Sequence, residues 1–450
     1  MKNILKVILF ISILLGCIHY LNVLYTPKDS RTRAPYYELP NSLDVVYIGS
    51  SHIEWGIDAG LMWEDFGISA LNYAIPGLDL KNSYFVLIEL LKYQKPKVVV
   101  MDVYKIHEMY SHLALTNRLA NAFKFSVNRL QMINENDSLT FSQKMDYFFP
   151  MNLYHTRNLE DEDFTFEYSN PERGHYARFD RVEESFPIEE GITGTIELAP
   201  IHQFYIQRII DYAKEKDISI VFVKVPHLKA AKVMHETWNA IELYLDKQGI
   251  KFINYNKREV FEEAGLFYKN DVANDSENNA HLNHFGAKKV TLHLADILMG
   301  RFDLEDKRKL QKYAYLDSQR AEFKSLHFDI KEHKGWIIWP LKVLLPGDRV
   351  YSERGKFYLT LQHDGNIVLY GKEGNPVWAS NTAGVPAKQL VMQEDGNWVL
   401  YGDNYQAFWA TNTYDNGDDT YVKVDDAGFL ALKKEDKVLW KSDVNLLATY

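Results

Sequence analysis

Cysteine is nearly absent from this chain: Cys17 is the only one among 450 residues. No intrachain disulfide can form and Cys-based metal sites are excluded, so the core must hold by packing. Positive charge is also short. Lys and Arg number 51 against 61 Asp and Glu, a formal net charge of -10. That balance offers no cationic footprint for a phosphate backbone and argues against nucleic acid as a partner. The histidines are scattered, with no H-E-x-x-H spacing, and neither a metal nor another cofactor is expected.

What is present begins with a basic start, Met1 to Lys6, followed by Val7 to Val23, apolar except for Ser12, His19 and Asn22. A secretory peptide has an apolar run of about 7 to 15 residues and a spanning helix needs about 17 to 25. Residues 1–26 are therefore a membrane anchor or signal, and a single-pass cell-membrane location is expected. Leu14-Leu15-Gly16-Cys17 also resembles a bacterial lipoprotein cleavage box. An uncleaved anchor, a lipoprotein and a cleaved signal all put the folded part outside the cytoplasm.

With 46% hydrophobic residues over this length, two folded domains are expected. Pro27 to Pro40 reads as polar and extended. Leu43 to Ile48, Val98 to Met101 and Ile218 to Val225 have the β-branched density of buried strands, and amphipathic stretches at Ser83 to Tyr93 and Ile201 to Lys214 read as helices. Strands alternating with helices predict an α/β fold, a parallel sheet covered on both faces, over 41–301. Residues from about 105 to 200 lack periodicity and read as an insertion over the sheet, whose Phe148, Phe149 and Tyr154 line a cleft or fill core. A charged connector, 302–334, then leads to a second domain, 335–450.

That second domain carries a repeat. Gln362-His363-Asp364-Gly365-Asn366-Ile367-Val368-Leu369-Tyr370 returns 31 residues later as Gln393-Glu394-Asp395-Gly396-Asn397-Trp398-Val399-Leu400-Tyr401. If the whole segment is a strand, alternation puts Gln, Asp, Asn, Val and Tyr on one face. Hydrogen-bonding groups around one small apolar contact suit a hexose, with its hydroxyls and C–H patch. Another 31 residues on, Val424, Asp426, Gly428, Leu430 and Leu432 keep only the Asp. Trp378, Trp409 and Trp440 recur at the same interval and read as core pillars.

These three units resemble the bulb-type mannose-binding lectins, a β-prism family, over about Leu341 to Asp443. The resemblance implies an all-β prism of three repeats that binds mannose or mannose-containing glycans without metal. It assigns Asp364, Asn366, Asp395 and Asn397 to the 2-hydroxyl, Gln362 and Gln393 to the 3-hydroxyl, and Tyr370 and Tyr401 to the 4-hydroxyl, with Val368 and Val399 as the apolar contacts.

In the first domain, Gly49-Ser50-Ser51-His52 follows a predicted buried strand, where α/β sheets gather their sites. His281-Leu282-Asn283-His284 stands far downstream before a predicted helix, and a serine nucleophile needs an imidazole to take its proton. With Asn72-Tyr73-Ala74-Ile75-Pro76-Gly77, these segments resemble the SGNH (GDSL-like) hydrolases, membrane-anchored bacterial type, over roughly Asp44 to Met299. The resemblance implies a flavodoxin-like sheet, Ser51 as nucleophile, His281 as general base, and Ser51 and Gly77 N–H groups as the oxyanion hole.

The family's acid position is Asn278 here, so Asp275 is assigned as the acid, with Asn278 and Asp271 nearby. Asp102 occupies the place of the family's missing Gly-x-Asn-Asp block. His52 and His284 read as supporting or surface groups. The expected function is a serine esterase or O-acyltransferase acting on acylated glycans, targeted by the lectin module. The alternative is a carbohydrate-binding adhesin whose α/β domain is an inactive scaffold.

Overall fold

A computed structural model describes residues 2–104, 113–165, 168–178, 192–227, 230–266, 271–273, 281–327, 337–338, 342–352, 356–417, 420–434 and 437–443. The chain divides into two compact units, Met1–Glu322 and Phe323–Tyr450.

The first unit is built on a five-stranded sheet of β1 (Val45–Gly49), β2 (Ala70–Ala74), β3 (Val98–Asp102), β4 (Ser219–Lys224) and β5 (Phe252–Asn254). All four pairings are parallel and the order is 2-1-3-4-5. Alternation along β1 sends Val46 and Ile48 into one core and Val45 and Tyr47 into the other. Helices Leu80–Leu90, Pro200–Glu215 and Lys232–Asp246 cover the first face, whereas Ala59–Phe66 and His284–Met299 cover the second. Because the strand order reverses beside β1, the carboxyl ends of β1 and β3 flank a crevice, the usual place for a site in such sheets.

Two segments depart from the expectation. The stretch from Pro27 to Pro40 is not extended throughout, because Asp29 caps a helix, Ser30–Tyr37, by accepting from the Arg31 and Thr32 N–H groups at 3.3 and 3.2 Å. The aperiodic insertion contains five helices among its described residues, from Leu113–Ala122 to Asp161–Phe164, each too short to print a clear period. At the N-terminus, Lys2–Tyr25 forms one exposed helix that is long and apolar enough to cross a membrane. It is compatible with an anchor or a signal sequence.

The second unit consists of three four-stranded antiparallel sheets around one core. Three short strands, β6 (Ile337–Ile338), β7 (Val343–Leu344) and β8 (Arg349–Tyr351), come first and each edges a different sheet. The sheet bodies are β9 (Phe357–Leu361), β10 (Ile367–Gly371) and β11 (Pro376–Ala379); then β12 (Gln389–Met392), β13 (Trp398–Tyr401) and β14 (Ala407–Ala410); then β15 (Thr420–Val424), β16 (Leu430–Lys434) and β17 (Lys437–Lys441). Trp378, Trp409 and Trp440, one from each sheet, meet edge to face with ring centroids 5.7 to 6.1 Å apart. Aromatic edges on aromatic faces are favourable in their own right, so the triad joins the three sheets.

Candidate functional site

Ser51 is the first residue of the helix Ser51–Gly56, directly after β1. Its backbone N–H is therefore among the first-turn donors that have no intrahelical acceptor. Ser50 caps this helix: its hydroxyl accepts from the His52 N–H at 3.3 Å and donates to Asp102 Oδ2 at 3.0 Å. Since Asp102 ends β3, the bond ties the Ser50–Ser51 turn to the neighbouring strand end. Gly49 is pressed against Asp102 as well, and a Cβ there would lie 2.5 Å from that of Asp102.

His281 arrives from the other end of the chain. An antiparallel bridge, Val272 to Leu282, and the Ala273 N–H bond to the His281 carbonyl at 3.0 Å hold its backbone just before the helix His284–Met299. Its Nε2 lies 2.8 Å from Ser51 Oγ. The Trp55 ring packs against the imidazole at 4.4 Å between centroids, and His52 packs against it at 4.7 Å. Gly77 follows β2 with φ +82°, and nothing within 4 Å would meet a Cβ there, so the space in front of its backbone is open.

Asp275 and Asn278 lie in 274–280, outside the described residues. Asp271 is buried and engaged elsewhere, by Lys289 at 2.8 Å. His52 and His284 are both buried rather than on the surface. His284 Nδ1 meets His175 Nε2 at 3.2 Å, and the other His175 ring nitrogen reaches the Glu54 carbonyl at 3.1 Å. Asp58 lies close to this histidine pair, but both its carboxylate oxygens accept from Arg320. A guanidinium already neutralises that carboxylate, so the group reads as a structural hydrogen-bond network rather than a cation site.

Sequence reasoning named Asp102 and His52 but missed Lys224, which is buried close to both. Lys224, at the end of β4, is buried, and burial lowers its ammonium to about 8 although Asp102 pulls the other way. Burial raises the Asp102 carboxyl against the pull of Lys224 and the Ser50 hydrogen bond. Burial among Lys224, His281 and His227 drives His52 well below the usual histidine range and keeps it neutral. No periodicity marks these residues, because each is one polar position at the end of a strand or helix. Beside Trp55, the Tyr176 ring leads to a polar cavity of about 680 Å³ that includes Lys28, Arg31 and Asn170.

In the second unit the polar sets converge by a different route from a single strand face. Gln362 to Asn366 is the turn between β9 and β10, closed by Gln362 N–H to the Asn366 carbonyl at 2.8 Å and by Gly365 at φ +85°. Alternation starts only at Ile367. Asp364 caps the turn by accepting from Asn366 N–H at 3.0 Å, and Gln362 donates to the Tyr370 hydroxyl at 2.8 Å. Val368 is buried on the same strand face as Tyr370. The second repeat reproduces this: Asp395 accepts from Asn397 N–H at 2.9 Å, Gln393 donates to Tyr401 at 2.9 Å, and Val399 is buried.

Four residues without an earlier role complete the sites. Asn366 Oδ1 accepts from Ser380 Oγ at 3.2 Å and Thr382 N–H at 3.1 Å; Asn397 Oδ1 accepts likewise from Thr411 and Thr413. Because a backbone N–H can only donate, the amide orientation is fixed, with the oxygen toward Thr382 or Thr413 and the NH2 on the other side. The signal was legible: Ser380-Asn381-Thr382 and Thr411-Asn412-Thr413 are 31 apart, the interval of the repeat.

The third unit is shifted by one residue from the simple interval. Asp425 N–H bonds the Phe429 carbonyl at 2.9 Å and Gly428 N–H bonds the Asp425 carbonyl at 3.0 Å, which makes Asp425 the counterpart of Gln362. Leu432 faces Trp440 as Leu369 faces Trp378. The matching set is then Asp425, Ala427, Phe429, Ala431 and Lys433, rather than Val424, Asp426, Gly428, Leu430 and Leu432. Asp426 instead accepts from Ser352 at 2.7 Å.

No family model matches the chain, and no curated protein matches it. Among solved structures, it is similar to the Japanese Marasmius oreades lectin at 27% identity over 24% of this chain and 92% of that one, with a TM-score of 0.23. It is similar to a monomeric monocot mannose-binding lectin from Gastrodia elata at 31% identity over 24% of this chain and 97% of that one, TM-score 0.22. A third neighbour is the mannose-specific agglutinin from snowdrop (Galanthus nivalis) bulbs, complexed with methyl-α-D-mannoside, at 29% identity over 22% of this chain and 91% of that one, TM-score 0.21. Lectins of this type are thus the structural neighbours of about a quarter of the chain.

Proposed function

We propose that the chain is a membrane-anchored serine esterase or O-acyltransferase that acts on acylated glycans and is targeted to them by two mannose-binding sites. The observation that carries the catalytic half is the 2.8 Å approach of His281 Nε2 to Ser51 Oγ at the strand ends of the parallel sheet. In this reading Ser51 Oγ attacks the ester carbonyl while His281 takes its proton. The carbonyl oxygen becomes an oxyanion facing the Ser51 and Gly77 N–H groups. Collapse expels the alcohol, which receives the proton from His281 and leaves an acyl-Ser51. Water then regenerates the serine by hydrolysis, or a sugar hydroxyl takes the acyl group. Asp275 is the assigned partner of His281.

The sugar-binding half rests on Gln362, Asp364, Asn366 and Tyr370 and on Gln393, Asp395, Asn397 and Tyr401, two identically wired clusters of donors and acceptors around buried Val368 and Val399. Mannose is the sugar implied by the Q-x-D-x-N-x-V-x-Y resemblance. Carrying the sugar sites and the serine on one chain raises the local substrate concentration, which for linked sites reaches the order of millimolar.

Labelling with a fluorophosphonate tests the catalytic half: the wild-type chain is labelled and Ser51→Ala is not. A folded wild-type chain that resists labelling overturns the enzyme and leaves a carbohydrate-binding adhesin. For the other half, Asn366→Ala with Asn397→Ala abolishes signal on a mannose glycan array, and an unchanged signal overturns both sites.

A further inference from the structure

Two of the short helices in the insertion turn apolar side chains outward. Val127–Asn134 buries Asn128, Arg129, Met132 and Ile133 and presents Val127 and Leu130. Phe141–Phe148 buries Tyr147 and exposes Phe141, while Met145 and Phe148, on the same face at helical spacing, are half-buried, Phe148 also packing on the core. Phe125, Val127, Phe141 and Phe149 are 60%, 71%, 79% and 41% exposed. An open, largely apolar groove of about 520 Å³ runs between these helices, lined by Phe125, Val127, Leu130, Met145, Phe148 and Phe149 together with Gln131 and Asn134. Concentrated apolar exposure of this kind marks a contact surface, not an ordinary solvated face.

The position of the groove identifies what covers it. Pro150 and Met151 follow Phe149 directly, and the Met151 N–H donates to the Asn22 side chain at 2.9 Å. Arg157 donates to the Tyr25 carbonyl at 3.3 Å and the Leu24 carbonyl at 3.5 Å. Asn121 bonds Tyr154 at 2.8 Å and so ties in the helix that leads to Phe125. The last turn of the apolar helix Lys2–Tyr25 is therefore pinned to the same substructure that exposes the phenylalanines.

We propose that the face formed by Phe125, Val127, Phe141, Phe148 and Phe149 rests in the headgroup and upper acyl region of the lipid bilayer that Lys2–Tyr25 enters. The inference rests on the anchor reading of that helix. It gives the first unit a fixed orientation to the membrane instead of a flexible tether, which restricts the substrates of Ser51 to those carried close to the lipid surface.

The single native cysteine makes the test direct. In the full chain, Cys17 is labelled with an environment-sensitive fluorophore; in a Cys17→Ser background the label is moved to Phe125→Cys, Phe141→Cys or, as a control on the opposite side of the sheet, Glu259→Cys. Each is reconstituted into phosphatidylcholine–phosphatidylglycerol vesicles and quenched by lipid-borne nitroxide or by aqueous iodide. The expected result is that nitroxide lipid removes about half or more of the emission at 125 and 141, as for groups seated at an interface, and leaves 259 unchanged. Quenching at Cys17 with none at 125 and 141 overturns the proposal while the anchor stands. No quenching at Cys17 removes the anchor and the seated face together. Protection of 125 and 141 from iodide without lipid quenching assigns the face to a protein contact and overturns the proposal.

Discussion

The two units assemble their chemistry in opposite ways. In Phe323–Tyr450 each polar set closes locally, from Gln362 to Thr382 and from Gln393 to Thr413, and neutral hydroxyls and amides support it. In Met1–Glu322 the central pair, Ser51 and His281, spans 230 positions, and the unit buries ion pairs: Arg173 with Glu38, Arg320 with Asp58, Lys289 with Asp271. Among the described residues of the second unit, the buried polar side chains are all uncharged. A local set can be duplicated, or lost as the third repeat has lost it, without disturbing the fold. A set gathered by the whole sheet fails whenever any supporting layer fails.

The largest effects should therefore fall in the first unit and leave the second untouched. His281→Gln removes the proton acceptor and is expected to slow fluorophosphonate labelling by about 10³-fold or more. Glycan-array binding should be unchanged, and coupled loss of both would break the distinction between the units. Next comes Arg320→Met, which leaves the buried Asp58 carboxylate without its partner and should destabilise the first unit by about 3–5 kcal/mol. Arg320 holds Asp58 down to about 2, below the usual carboxylate value of 3.8. The sign follows: stability from a lowered carboxylate is present above the unfolded value and lost as pH falls through the folded one. The wild-type advantage over Arg320→Met should be largest above about pH 4 and shrink toward pH 2. Chemical denaturation at a series of pH values measures it, and a gap independent of pH would remove Asp58 as the cause.

The same contrast decides what the sequence could reveal. Three of the five strands were legible because Val45 to Ile48, Val98 to Met101 and Ile220 to Val223, within the run Ile218 to Val225, are apolar. β2 was not, since Asn72 stands at its centre; that amide is buried and donates to the Ile53 and Ile57 carbonyls at 2.7 and 2.8 Å, a compensation invisible before folding. β5 has three residues, too few to carry a pattern. The repeated polar residues are legible from their interval, but the turn at Gln362 to Asn366 departs from the strand that alternation implies, although Asp364-Gly365 is a turn signal. The one-residue shift in the third unit escaped because Trp440 keeps the 31-residue interval while the hairpin before it does not. Lys224 and the bond between Ser50 and Asp102 escaped for the opposite reason, resting on single residues brought together only by the strand order.

Smaller effects sharpen the local side of the comparison. Asn366→Asp with Asn397→Asp keeps an oxygen for Thr382 and Thr413 N–H but removes the outward NH2 donors. The fold should survive, while mannose binding falls about tenfold or more at each site, the cost of one unmade hydrogen bond to a group held in place. Titration calorimetry of the folded variant measures this, and undiminished affinity would show that the asparagines only brace the turn. The smallest change is Thr382→Ala. Its hydroxyl donates to the Gly365 carbonyl at 2.7 Å, across the turn, where Gly365 has φ +85° and a Cβ would lie 2.3 Å from the Val385 carbonyl oxygen. The same hydroxyl bonds Ser380 Oγ at 2.6 Å, so the change removes two neutral hydrogen bonds and should cost about 1–2 kcal/mol of stability in the second unit. Because Ser380 and the Thr382 N–H still hold Asn366, affinity at that site should fall only a few-fold, with the Asn397 site unaltered. If Thr382→Ala instead weakened both sites equally, the repeats would not be the independently closed units that their hydrogen bonding describes.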